Sequence, residues 1–421
     1  MENFFLTIKD VALKENKSIK TIRRLIAANK IKVSKNQGKL NQIHHNDYLE
    51  WKKTKDKFEI NEPNQLTINQ DIKMDDFEML DIERDFNKRD GWKHKYRNGY
   101  KFIDLFSGAG GLSCGLVMAG FEPISSVEIV ETAVSTYEYN FSKKFPNEKL
   151  ENRDIRDSKV KKEVIDFGLK NDVDVIVGGF PCQGFSLAGN RIFVDERNSL
   201  YTDMLKIVKE IKPKIVVMEN VEGLRSMLDG KIELKIIKDY QDIGYKISAH
   251  TLNSADYGVA QRRKRVIFIA NRLGKKNAFP KPIFKKENYK TLGEEIERFI
   301  NVPEDQTINH IFTKHSEDMK RKLSLLEEGK SLYKNYSDSW KKSPWNEPSC
   351  TIKENHGGVN IHPKLPRVLT PRELAAIQSF PDDFIFSGNK SAQLVQIGNA
   401  VPPKMSKAIG LVIEKLLENN K

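Results

Sequence analysis

"KFIDLFSGAGGLS", residues 101–113, decides the fold. Its apolar first half suits a strand, and its last residues suit the start of a helix. Between them lies a glycine-rich turn, Gly108 to Gly111, where missing Cβ atoms let backbone come close to a ligand. A tight structural turn would use the same residues, so the surroundings must decide. Working outward, short apolar strands recur in "ISSVEI", "VDVIVGGF", "KIVVMEN" and "RVIFIA". Between two of them Leu200, Met204, Ile207, Val208 and Ile211 repeat at helical spacing, as on a helix with one face against a sheet. This alternation predicts an α/β fold with a doubly wound, mostly parallel sheet and ligands at the carboxyl ends of its strands.

Several of those ends carry candidate groups. Glu128 closes the strand after the glycine turn, about twenty residues on, where a carboxylate can accept both hydroxyls of a ribose. Asp154 in "ENRDI" adds a carboxylate suited to an adenine amino group. The pattern leaves a dinucleotide and S-adenosylmethionine both open. Cys182 in "GGFPCQGFS" follows Pro181 in a glycine-bordered turn at the end of an apolar run, whereas a structural cysteine prefers an apolar site and needs no such turn. Glu219 in "VVMENV" ends another strand, and Arg263 and Arg265 of "QRRKR" lead into "RVIFIA". A thiol, a carboxylate and two guanidinium groups can therefore converge over one sheet edge.

The chain has 421 residues, and its 71 Lys and Arg against 58 Asp and Glu give a net charge of +13, which suits a polyanionic partner. Three widely spaced cysteines, Cys114, Cys182 and Cys350, make neither a disulfide framework nor a metal site, so no metal and a reducing cytoplasm are expected. No apolar run approaches the length of a membrane span, and no membrane partner is expected. Residues 1–57 carry 14 basic against 6 acidic side chains, and residues 58–90 carry 4 against 10. The sign change predicts a boundary, with an acidic linker over 58–99 that can dock in part. Before it, "LTIKDVALKEN" and "SIKTIRRLIAANK" read as two short helices, followed by a β-turn at Gln37–Gly38 and a third helix. This resembles a winged helix-turn-helix of the excisionase or MerR-like kind, whose second helix would present Lys20, Arg23 and Arg24 to DNA. A small protein-contact domain with a solvated basic face is the plainer alternative.

From about residue 100 to 412 the chain resembles the DNA (cytosine-5)-methyltransferases. "DLFSGAGG", "GGFPCQGFS", "MENV", "QRRKR", "RVLTPRELAAIQSFPDDF" and "QIGNAVPP" match that family's signature blocks in order. The resemblance implies a Rossmann-like, S-adenosylmethionine-dependent methyltransferase domain over 100–271, a smaller target recognition domain over 272–365, and a return to the first domain over 366–421. It assigns Cys182 as nucleophile, Glu219 as the acid that binds the base, and Arg263 and Arg265 as partners of base and thiol. Around the cofactor it points to Phe106, Gly108, Gly110, Gly111, Glu128, Asp154, Ile155, Pro181, Leu200 and Asn399. Many relatives have tryptophan after the ribose-binding glutamate; this chain has Ile129. The implied substrate is double-stranded DNA with a flipped cytosine, and the implied setting is restriction and modification beside a cognate endonuclease. Lysines interleaved with Tyr333, Tyr336, Trp340 and Trp345 suit the DNA-facing region.

An amino-methyltransferase would need a [DNS]-P-P-[YFW] stretch where "GFPCQ" stands. A tRNA-methylating relative would share the cysteine and glutamate blocks but not the helix-turn-helix. A DNA-binding regulator acting through residues 1–57, on its own promoter for instance, is the alternative from another class, alone or beside methylation.

Overall fold

The computed structural model describes residues 5–14, 22–23, 26, 31, 34–36, 39–44, 46–51, 72–89, 92, 97–142, 144–145, 149–181, 199–333, 340–353 and 360–418. The chain divides into two compact units, Met1–Asn69 and Gln70–Lys421.

In the first unit, strands β1 (Phe5–Thr7), β2 (Ser34–Asn36) and β3 (Lys39–His44) form an antiparallel sheet with β3 in the centre. Helix α1 (Ile8–Lys14) follows β1 directly. A local box sets its start: the Thr7 N–H donates to Asp10 Oδ2 at 2.8 Å, and the Asp10 N–H donates to Thr7 Oγ1 at 3.2 Å. Leu6, Val11, Ala12, Ile22, Ile31, Ile43 and Tyr48 make a small core, while Arg23 is exposed. Lys20 and Arg24 lie outside the described residues.

The second unit is built on a seven-stranded sheet of β5 (Lys101–Leu105), β6 (Glu122–Glu128), β7 (Lys149–Asn152), β8 (Val175–Gly178), β9 (Ile215–Val221), β10 (Lys246–Asn253) and β11 (Lys264–Asn271). Their order is β10-β11-β9-β8-β5-β6-β7, and β11 alone runs antiparallel to its neighbours. The sequence reading named five of these strands, took Asp154 as the end of a further one, which is β7, and missed β10. The chain turns away from β5 in both directions, which opens a crevice at the carboxyl ends of β5 and β8.

Strand alternation makes two apolar layers. Phe102, Val175, Val177, Ile215 and Val217 face one way, against α3 (Gly111–Met118) and the C-terminal α12 (Pro403–Glu418). Ile103, Leu105, Ile176, Val216 and Met218 face the other way, against α5 (Ser158–Lys170), α6 (Ser199–Ile211) and α7 (Lys231–Asp242).

The stretch 58–99, expected to be an acidic linker that docks in part, has described residues within the second unit: β4 (Phe77–Leu80) pairs in parallel with β12 (Asn277–Pro280), and α2 (Glu83–Lys88) follows. The reason is hydrophobic. Ile82, Phe86 and Trp92 are buried in the main core, and the acidic residues that set the net charge lie mostly before them, with Glu83, Asp85 and Asp90 in between. From the described part of 272–365, Leu292, Ile296, Phe299 and Ile352 join one cluster with Leu374, Phe380 and Met405.

Candidate active site

The glycine turn hangs from the end of β5. Phe106 has φ 63°, Gly108 φ 53° and Gly110 φ 88°, so the chain leaves the strand through left-handed backbone before α3 begins at Gly111. At Gly110 a Cβ would stand 2.6 Å from the Phe141 ring, which excludes any larger residue. Beside Gly108, by contrast, a Cβ would meet nothing within 4 Å. Glu128, at the end of β6, grips this turn: its Oε2 accepts the Gly108 N–H at 2.8 Å, and its Oε1 accepts the N–H groups of Ile129 at 2.9 Å and Val130 at 2.8 Å. Ile129 is 57% exposed.

Asp154 sits after β7 and is fully engaged with Arg156. Oδ1 accepts the Arg156 main-chain N–H at 2.9 Å and Nε at 3.0 Å, and Oδ2 accepts Nε at 2.8 Å and a terminal nitrogen at 2.6 Å. These bonds hold the Asp154 carboxyl below its usual range against the opposing effect of burial. Ile155 is buried, Leu200 packs half-buried on the apolar layer of β8, Pro181 is exposed, and Asn399 is exposed at the end of α11 (Lys390–Asn399).

Glu219 and Arg265 form the polar centre at the ends of β9 and β11. Arg265 pairs across the ladder with Val221, which puts its side chain on the face that Glu219 shares, and its Nε donates to Glu219 Oε1 at 2.7 Å. Both side chains are nearly buried. The other carboxylate oxygen abuts the turn after β8: a Cβ on Gly179 would come within 3.0 Å of Glu219 Oε2. Cys182 lies outside the described residues, one position beyond Pro181.

Arg263 is placed differently from Arg265. Its guanidinium is fully buried and donates to the carbonyls of Ile352 and Gly398, each at 2.9 Å. Burial pushes its pKa down to about 9, with Arg265 reinforcing and Glu219 opposing, so it remains a cation at neutral pH. In this chain Arg263 therefore clamps the segments that carry Ile352 and Gly398, and its main chain is tied to Ser254 just before β11 begins.

Sequence reading missed the side chains that complete this clamp. Gln261 donates to Gln378 Oε1 at 3.0 Å and accepts the Ile352 N–H at 2.8 Å, while Gln378 donates to the Ile397 carbonyl at 2.6 Å. In "RVLTPRELAAIQSFPDDF", Arg367 makes a bidentate pair with buried Glu373 at 2.7 and 2.8 Å, inside the capping box Thr370–Glu373 of α10 (Pro371–Ile377). The conspicuous blocks thus bind one another. A glutamine or arginine inside a block that is otherwise apolar or turn-forming was the available signal. Trp345 is likewise a scaffold residue, with Lys364 Nζ 3.5 Å over its ring and Gly293 packed against it.

The strand order, with a single reversed strand beside β9 and a glycine turn capped by a strand-end glutamate, defines the methyltransferase class of α/β folds. Residues 100–415 match the C-5 cytosine-specific DNA methylase family, and the chain belongs to it. The Type II methyltransferase M1.HphI of Haemophilus parahaemolyticus is 39% identical over 76% of this chain and 87% of its own length. M.Sau96I of Staphylococcus aureus is 32% identical over 94% of this chain and 95% of its own, a span that reaches into the first unit. Among solved structures, a candidate DNA modification methyltransferase from an E. coli prophage matches with 28% identity and a TM-score of 0.59, over 76% of this chain and 100% of that one. A Spodoptera frugiperda DNMT2 mutant shares the fold at 19% identity and a TM-score of 0.54, over 75% and 100%. The protein is a DNA cytosine-5 methyltransferase of the Type II restriction-modification kind, and its methyl donor is S-adenosylmethionine. Among the described residues no helix is long and apolar enough to cross a membrane.

Proposed function

We propose that the enzyme methylates a cytosine flipped out of duplex DNA through a covalent bond to Cys182. The observation that carries this reading is the Glu219–Arg265 pair set against Gly179, at the base of the turn that leads into Cys182. Carbon 5 of cytosine is a poor nucleophile. Attack of the Cys182 thiolate on carbon 6, with proton donation from Glu219 to ring nitrogen 3, converts the base to an enamine whose carbon 5 is electron-rich. Glu219 can also accept from the exocyclic amine, and Arg265 holds its carboxylate in place. S-adenosylmethionine supplies the electrophilic methyl group. Loss of the carbon 5 proton to a base, breakage of the carbon–sulfur bond and return of the nitrogen 3 proton then restore thiolate and aromatic ring. A base stacked in a duplex cannot reach such a site, so flipping is required, at a cost of a few kcal/mol.

The residues present fit the cofactor. Open space beside Gly108 and the left-handed turn leave room for it, and Glu128 Oε2 has accepting capacity left for ribose hydroxyls. Phe106, Gly110, Gly111, Ile155, Pro181, Leu200 and Asn399 would line the crevice. An adenine amino group reaching Asp154 would displace one bond from Arg156, and exposed Ile129 would cover one adenine face with less area than an aromatic ring. The first unit would serve as a separate DNA-binding module: a basic segment with a β-hairpin beside helical turns and exposed Arg23 favours that reading. A partner endonuclease cutting the same sequence completes the proposed setting.

The test is Cys182→Ala, with a duplex carrying 5-fluorocytosine at the target. The variant should bind DNA and transfer no methyl group. The parent protein should stay attached to the fluorinated duplex on a denaturing gel, because fluorine cannot leave as the proton does. Methylation by Cys182→Ala near the parental rate would refute the covalent route.

A further inference from the structure

The last two residues before Val221 on β9 hold the turn after β8 from opposite sides. Alternation along the strand sends Glu219 toward one apolar layer and Asn220 toward the other. Glu219 Oε2 lies against Gly179, where a Cβ would come within 3.0 Å. On the other side Asn220, which is 4% exposed, donates from Nδ2 to the Phe180 carbonyl at 2.9 Å. Its own Oδ1 accepts the Val221 N–H at 2.9 Å, so the amide plane is fixed and its orientation is set. The Phe180 ring is in turn buried edge-on against Tyr201, centroids 5.3 Å apart, and the Tyr201 hydroxyl donates to Asp239 at 3.0 Å. Phe180 is thereby held at carbonyl and ring, and the next two residues are Pro181 and Cys182.

We infer that Asn220 is the positioning residue of the nucleophile turn, setting where Cys182 stands relative to Glu219. This rests on the reading of Cys182 as nucleophile. The physical argument is the economy of the contact. Proline fixes φ of its own residue, so with the Phe180 carbonyl anchored, few backbone torsions remain free before the thiol. One buried hydrogen bond therefore decides a position on which attack geometry depends, and a shift of about 1 Å costs on the order of 10²-fold in rate. The described bonds of Asn220 run to Phe180 and Val221 rather than to the glycine turn or Glu128, so its loss should affect chemistry far more than cofactor binding.

The experiment uses the full-length protein with Asn220→Ala and the isosteric Asn220→Asp, whose carboxylate cannot donate to a carbonyl. Four quantities are measured: kcat on cognate duplex, the rate of adduct formation with the 5-fluorocytosine duplex, calorimetric affinity for S-adenosylhomocysteine, and the melting temperature. The expected result is a loss of roughly 10- to 100-fold in kcat, an equal slowing of adduct formation and less than a twofold change in cofactor affinity. Parental rates in both variants would overturn the assignment. So would a joint collapse of melting temperature and cofactor binding in both, which would make Asn220 a stability residue only. Cys182→Ala run alongside separates the two ideas: if it methylates, the covalent reading fails; if it is inactive while the Asn220 variants are normal, only the positioning role fails.

Discussion

His362 shows what a single buried residue contributes beside the active site. It is fully buried, and its Nδ1 accepts the N–H groups of Lys364 at 3.1 Å and Leu365 at 3.0 Å, so the proton sits on Nε2, 3.8 Å from Glu373 Oε1. Burial lowers its pKa from 6.5 to about 4, with Glu373 opposing and Arg367, Lys364 and Lys342 reinforcing. A histidine with a depressed folded pKa takes up its proton more readily unfolded. Its contribution is therefore complete above about pH 6.5 and lost progressively as pH falls toward 4, by roughly 3 kcal/mol. Urea unfolding between pH 7 and 4.5 should show this slope, and His362→Asn, which keeps an acceptor and cannot titrate, should flatten it. Equal slopes would remove His362 as the cause. At this scale the sequence was legible where a residue type is chemically odd for its place, as with Glu219 near the end of an apolar strand, which the structure sets beside Arg265. The carbonyl partners of Arg263 had no such signal, because they come from Ile352 and Gly398, far along the chain.

Among the elements, β4 and α2 change what can be removed from the chain. Asp75 extends the edge of β10, giving its N–H to the Ile247 carbonyl at 2.9 Å and taking the Ile247 N–H on Oδ2 at 2.8 Å. Further on, Lys407 of α12 donates to the Phe86 carbonyl at 2.7 Å, and Arg89 pairs with Glu414 of α12 at 2.6 Å, both side chains less than a tenth exposed. Burial raises the Glu414 pKa while Arg89 lowers it, so the arginine is what keeps this carboxylate tolerable in the core. Arg89→Ala should destabilise the catalytic unit by about 3–5 kcal/mol, read as a lower urea midpoint, and adding Glu414→Gln should restore part of the loss. An unchanged midpoint would show the pair to be immaterial. Charge composition hid these elements: six apolar or aromatic anchors, Phe77, Met79, Leu80, Ile82, Phe86 and Trp92, were outvoted by the aspartates and glutamates around them. The glycine turn and the strands around it were legible because backbone geometry there admits few residues, whereas β7, only four residues long and polar in composition, gave no periodic signal.

For the whole molecule, the question is whether the first unit helps choose the methylated sequence. Residues 1–69 carry a net +6 of the chain's +13, leaving +7 for the catalytic unit, so each part has its own attraction for DNA. The cut must fall at residue 70, since removing residues 1–90 would also take β4 and α2 from the catalytic core. Base contacts specify and phosphate contacts position, and the clamp that joins Gln261, Arg263, Ile352, Gln378 and Gly398 lies wholly within the second unit. Deletion of residues 1–69 should therefore leave the methylated sequence unchanged while abolishing protection of a second, separate site, of which the protein's own promoter is the first to examine. Arg23→Ala in the full chain should relax recognition at that second site and leave the methylation sequence as it was. Methylome sequencing and footprinting of both proteins measure the two effects independently. Loss or alteration of the methylation sequence in the truncated enzyme would mean that the first unit takes part in target choice, and the span over which M.Sau96I matches this chain would then reflect shared recognition machinery rather than a regulatory attachment.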